Sequence, residues 1–141
     1  MNDIIKGMGF HHIAIRCKDF EKSVRFYESL GCVISAAWGS APHCSALIDI
    51  GDGGCIELFS GGIEEKTESD TQSGEWLHLA LACDDPDAAF ATAIAAGATG
   101  KIAPGDAMIA SDPPMHLRIA FVYGLDGEVI EFFHVKNKNE K

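Results

Sequence analysis

The sequence predicts an α+β fold built from two tandem βαβββ modules. Three observations predict it: a segment that occurs twice, helix punctuation at matching places in both copies, and apolar alternation of period two around the helices. Setting HIAIRCKDFEKSVRFYESLG (12–31) above HLALACDDPDAAFATAIAAG (78–97) gives a constant offset of 66 (78 − 12). It pairs His12 with His78, Ala14 with Ala80, Cys17 with Cys83, Asp19 with Asp85 and Gly31 with Gly97.

Each copy opens with alternating apolar residues, the pattern of a half-buried strand. Asp19 and Asp85 then stand where a helix needs an N-cap, and Pro86 follows at the first helical position of the second copy. Phe20, Val24 and Tyr27 recur at helical spacing in the first copy, as do Phe90 and Ile94 in the second. Gly31 and Gly97 fit the left-handed position that closes a helix.

Three strands follow each helix. After Gly31 come CVISAAW, CSALIDIG and GCIELFS, the last two joined by the turn GDGG. After Gly97 come a weaker strand near 99–103, then HLRIAFVYG and GEVIEFFHV around an LDG turn. The closing phrases IELF and IEFF lie 74 residues apart (131 − 57), eight more than the offset, which places an insertion at 104–116. This insertion reads either as an apolar flap or as a surface loop. The chain is thus expected to be one domain, 1–141, with module 1 at about 9–60, a polar, glycine-rich linker at 61–75 and module 2 at about 76–135.

Composition narrows the function. With 141 residues, 47% apolar and 23% charged, the chain is long enough to bury a core and has no apolar run of membrane-spanning length. A formal net charge of −10 disfavours nucleic acid and anionic membranes as partners. The five cysteines form no C-x-x-C pair, which argues against a disulfide scaffold or a cysteine zinc site. MNDIIKGMGF carries no secretory signature, so a cytoplasmic location is expected.

Strand parity sorts the side chains. Ile13, Ile15 and Cys17 share the helix side of the first strand, whereas His12, Ala14 and Arg16 face away. His11 falls on the helix-side parity, near the strand end. In the second module His78 lies opposite Leu79 and Leu81. Glu57 stands between Ile56 and Leu58, and Glu131 between Ile130 and Phe132. The helix-free face of each sheet therefore offers one His and one Glu. A single such Glu or His is usually just solvated, but the same pair at equivalent places of two repeats points to a divalent metal.

With these residues in place, the chain resembles the vicinal oxygen chelate superfamily, which includes glyoxalase I, fosfomycin-resistance proteins, acyl-CoA epimerases and extradiol dioxygenases. The resemblance runs from about Phe10 to His134. It implies a cupped, mostly antiparallel sheet around one divalent metal (Ni, Co or Zn) held by His12, Glu57, His78 and Glu131. The full His-Glu-His-Glu set is similar to bacterial glyoxalase I. Oxygenases and fosfomycin-resistance enzymes use a His-His-Glu triad, epimerases place Gln at the Glu57 position, and bleomycin-type binding members lack the ligands.

The resemblance implies a lactoylglutathione lyase-like enzyme that moves a proton through a metal-stabilised enediolate on a 2-oxoaldehyde thiol adduct. Glu131 would be the chief catalytic base and Glu57 its partner for the other face. It also implies a small-molecule substrate and a homodimer with shared sites. An acyl-CoA epimerase, a triad oxygenase and a non-catalytic binding protein stand as alternatives. Arg16, four residues after His12, matches an arginine that holds the glutathione carboxylate in glyoxalase I, and reads equally as a solvated arginine. Two positions depart from that pattern: Gly61 replaces an Asn, and SGEWLH has no basic residue before His78. Arg118 and His116 could supply compensating polarity at the substrate, though neither matches a family motif.

Overall fold

A computed structural model describes residues 10–61, 78–110 and 113–137. The chain divides into two compact units, Met1–Ile63 and Glu64–Lys141. The expected linker at 61–75 lies, apart from Gly61, outside the described residues.

The first unit runs β1 (His12–Arg16), α1 (Phe20–Ser29), β2 (Val33–Ser40), β3 (His43–Asp49) and β4 (Cys55–Phe59). The second runs β5 (Leu79–Ala82), α2 (Pro86–Ala95), β6 (Thr99–Ile109), β7 (Met115–Tyr123) and β8 (Val129–Val135). Each unit is therefore a βαβββ module. The sheet orders correspond, β1-β4-β3-β2 and β5-β8-β7-β6. In both, the first and last strands of the module pair in parallel and the other pairs are antiparallel. The intervening helix makes that parallel return possible.

The two helices begin and end alike. Asp19 accepts a hydrogen bond from the Lys22 N–H at 3.1 Å, and Asp85 accepts one from the Ala88 N–H at 3.0 Å. Pro86 occupies the first turn of α2, where its missing N–H costs no helical bond. At the C-termini, Gly31 and Gly97 have φ of +90° and +112°. The next N–H groups then turn back, Cys32 to the Tyr27 carbonyl and Ala98 to the Ala93 carbonyl. Such a closure needs a left-handed residue, which explains glycine at both places.

The first core lies between α1 and one sheet face. Val24, Phe26 and Tyr27 are buried there, as are Ala46, Ile48, Ile56 and Leu58 on the strands. In the second unit Ala120, Val122, Ile130 and Phe132 fill the corresponding layer. Here the helix differs from expectation: Ala93 is fully buried, whereas Ile94 is 40% exposed. The Phe90 ring lies beside Gly100 of β6, where the absent side chain leaves room for it. An alanine-rich helix buries its backbone closely, so the bulky positions sit at its margins.

The described part of the insertion is not a separate loop. Instead β6 continues past 103 to Ile109 and pairs with β7 down to the Ile109–Met115 partners. The strand expected near 99–103 does not stop there: the ladder shifts register between Ile102 and Gly105 and resumes. A proline is tolerated at a bulge on an edge strand, and β6 is an edge. Met108 and Ile109 on this arm are 58% and 46% exposed.

Candidate functional site

Parallel pairing in each unit sets one His beside one Glu. On β1 and β4, Ala14 registers with Glu57, so His12, two residues earlier on the same face, lies diagonal to that carboxylate. His12 Nε2 comes within 3.1 Å of Glu57 Oε2. On β5 and β8, Ala80 registers with Glu131, and His78 occupies the equivalent diagonal. His78 Nε2 comes within 3.0 Å of Glu131 Oε2. Two separately folded sheets thus present the same pair with nearly the same contact.

The pairs face away from the cores. Ile56 and Leu58, on either side of Glu57, are at most 1% exposed, as is Ile130 beside Glu131. Glu131 is itself the more enclosed carboxylate, its side chain 9% exposed against 16% for Glu57. Burial pushes the Glu131 carboxyl above its ordinary value, and His78 partly pulls it back. Each imidazole is more than a third exposed, so both pairs are open to solvent on the histidine side.

Four carboxylate or imidazole donors of this kind suit a divalent cation. Each sheet by itself supplies two. Among the described residues no group of three or more His, Cys, Asp or Glu side chains forms a metal-holding cluster. The geometry of each half-site nevertheless fits the group: a His nitrogen and a Glu oxygen converge in each.

Two neighbours of the pairs come from the structure: His11 lies off its expected parity, and Phe121 was not singled out in the sequence. His11 precedes β1 and is exposed, and its Nδ1 sits 2.8 Å from His12 Nδ1. It stands outside the strand, so alternation does not bind it to the helix side. Phe121 registers with Glu131 across β7 and β8, on the same face, and its ring meets His78 edge-on at 5.6 Å. Counting back from Glu131 through the LDG hairpin would have identified Phe121; nothing in the sequence signals the folded-back His11 ring.

The two arginines separate. Arg16 keeps the parity of His12 and Ala14, and its guanidinium approaches Gly61. A side chain at Gly61 would crowd that guanidinium, so the glycine that departs from the glyoxalase pattern leaves Arg16 its space. Arg118, expected from the sequence as a substrate contact, lies on the other face of its sheet from Glu131. It registers with His134, on the face that carries Ala120 and Val122, and forks onto Asp87 of α2 with two bonds of 2.7 Å. Asp106 adds a third contact at 3.3 Å. Its planar fork is thereby committed to tying α2 to β6 and β7, on the face away from Glu131. His116, the other compensating candidate, is exposed and registers with Met108 on the hairpin arm.

The cysteines take no part. None of the five forms a disulfide, and burial pushes the Cys32 and Cys83 thiols up, away from reactive thiolate. Among the described residues no helix is long and apolar enough to cross a membrane.

Comparison with known proteins agrees with this architecture. The family model described as Glyoxalase/Bleomycin resistance protein/Dioxygenase superfamily matches residues 9–132. A search of curated protein sequences finds no match. Among solved structures, a family enzyme from Burkholderia phytofirmans PsJN is 21% identical, with a TM-score of 0.63 over 89% of this chain and 97% of its own. TioX from Micromonospora sp. ML1 is 19% identical, with a TM-score of 0.64 over 90% of this chain and 98% of its own. A glyoxalase I variant from Zea mays is 18% identical, with a TM-score of 0.65 over 88% of this chain and 43% of its own. At these identities the likeness speaks for the fold.

Proposed function

The chain belongs to the glyoxalase/bleomycin resistance protein/dioxygenase superfamily, and from that premise we propose a metal-dependent, glyoxalase I-like lyase or isomerase. Its substrate is a 2-oxoaldehyde thiol adduct or a closely related α-hydroxycarbonyl compound. The observation that carries this reading is the repeated His–Glu pair, His12 with Glu57 and His78 with Glu131. A His-His-Glu oxygenase has no use for Glu57, and an epimerase of the family carries Gln there.

His12, Glu57, His78 and Glu131 would hold one divalent ion, nickel, cobalt or zinc. When bound, such an ion supplies Lewis-acid polarisation of a substrate carbonyl. Glu131 takes a proton from one carbon and returns it to the next, and its enclosure limits exchange of that proton with water. Glu57 does the same work for the opposite face. Arg16 offers its charge to an anionic group of the thiol, on the face shared with His12. Gly61 and the missing basic residue before His78 argue against a glutathione pocket of the usual pattern, so the thiol itself has to be sought by experiment.

One module contributes one His and one Glu, so a four-ligand site takes two modules. We read the protein as a homodimer with two shared sites, His12 and Glu57 from one protomer and His78 and Glu131 from its partner, related by a two-fold axis. Five cysteines without a disulfide suit a reducing, cytoplasmic setting.

The test is a lyase assay on methylglyoxal with glutathione and several other low-molecular-weight thiols, using stripped protein reconstituted with nickel, cobalt or zinc. Metal-dependent conversion of at least one adduct is expected; no turnover with any combination would overturn the proposed activity. Mixing an inactive His12→Ala chain with an inactive Glu131→Ala chain tests the assembly. Shared sites concentrate both lesions in one site of the heterodimer and leave the other intact, so activity returns. Verified heterodimers without recovery would refute sharing.

A further inference from the structure

We propose that His11 is a positioning residue for His12, holding its ring so that Nε2 can serve as a metal ligand. The inference rests on the reading of His12 as a ligand. Its basis is one contact, the 2.8 Å approach of the two Nδ1 atoms. At that distance one nitrogen donates and the other accepts. The rings meet edge to face, centroids 5.1 Å apart at 83°, so the bond lies at the rim of the His12 ring and leaves its far edge toward Glu57.

Both ring nitrogens of His12 are thereby engaged: Nδ1 by His11, and Nε2 by Glu57 at 3.1 Å. Against a carboxylate, Nε2 carries the proton, and Nδ1 accepts from the Nδ1–H of His11. A nitrogen that gives its lone pair to a cation cannot also carry a proton. Ligation through Nε2 therefore requires the His12 proton on Nδ1.

The hydrogen bond then reverses. His12 Nδ1–H donates, His11 Nδ1 accepts, and His11 carries its own proton on Nε2. Each ring has one proton before and after, so neither changes charge. The bond survives both states because imidazole can donate or accept at the same atom. Leucine at position 11 could do neither. Asparagine could do both, because its amide places an oxygen or a nitrogen at the δ position.

The arrangement is seen, among the described residues, at His12 and not at His78. Among the described residues His78 has no such hydrogen-bond partner, and its ring is set by the edge of Phe121. Two equivalent ligands are thus oriented by different means, one by a hydrogen bond and one by packing. Outer partners of ligating histidines contribute about 10–100-fold to metal affinity.

The experiment titrates cobalt or nickel into stripped wild-type protein and into His11→Leu, His11→Asn and His12→Ala. The expected result is a loss of about 10–100-fold for His11→Leu, with His11→Asn close to wild type. A ¹⁵N spectrum of the metal-free proteins gives an independent reading. The His12 Nδ1 resonance should show a hydrogen-bonded nitrogen in wild type and His11→Asn, and lose that shift in His11→Leu, while the Nε2–H facing Glu57 stays in all three. If His12→Ala weakens binding strongly but His11→Leu does not, the positioning role fails and the ligand reading stands. If His12→Ala leaves binding unchanged, the ligand reading itself fails. If His11→Leu and His11→Asn both match His12→Ala, His11 is a direct ligand and the proposal is overturned.

Discussion

Replacing Ile130 by alanine probes the strand parity that aims Glu131. Ile130 is 0% exposed, registers with Val122 on β7 and Leu79 on β5, and points to the face opposite Glu131. The substitution removes three carbons, and at about 0.8 kcal/mol for each the transfer contribution alone is about 2.4 kcal/mol. Val122, Ala120 and Phe132 are all nearly fully buried around the site, so collapse into the gap is incomplete. With the cavity included, the expected loss is about 3–4 kcal/mol, within the range of about 2–5 kcal/mol for such truncations. Urea denaturation followed by far-UV circular dichroism measures it, provided the m-value is unchanged. Ile102→Ala serves as the comparison: Ile102 is 49% exposed on edge strand β6, and its loss should cost roughly 1 kcal/mol or less. Equal, small losses at the two positions would mean that β8 does not bury Ile130. The placement of Glu131 on the opposite face would fall with it, since a one-residue slip exchanges the faces.

Two further outcomes are expected. Arg118 and Lys136 hold the Asp87 and Asp106 carboxyls below their ordinary values, Asp87 through Arg118 and Asp106 through Lys136 first and Arg118 second. Because the folded values are depressed, that stabilisation is present above the ordinary carboxylate range and is lost as pH falls from there through the lower folded values. The stability difference between wild type and Arg118→Met should therefore be full at neutral pH and close in acid; a difference that stays constant in acid would rule out this origin. Glu131→Gln should keep much of its metal, measured by atomic emission, while turnover falls by about 10² or more. Unchanged turnover would move the base to another residue.

Much of this was legible because the informative residues are punctuation. Asp19, Asp85, Gly31 and Gly97 mark helix ends through local chemistry that neighbouring packing does not override. Period-two alternation placed Glu57 and Glu131 opposite buried Ile56 and Ile130, and the structure keeps that parity. What the sequence did not show shares a cause: it turns on partners distant in sequence or on where a strand begins. The strand expected near 99–103 runs on to Ile109, which follows only once the edge position of β6 and its register shift are known. Arg118 looks free for a substrate until Asp87, 31 residues away, closes on it. His11 has the helix-side parity only if the strand begins before it, and β1 begins at His12.

The central claim is that one metal draws on both modules. The direct measurement is metal stoichiometry and affinity by cobalt titration of stripped wild type, His12→Ala and His78→Ala. A single site fed by both His–Glu pairs predicts one equivalent per chain in wild type and severe weakening in both variants. Two independent half-sites predict that each variant keeps binding at the untouched pair. Retention of a full metal equivalent at wild-type affinity in either variant would contradict the account.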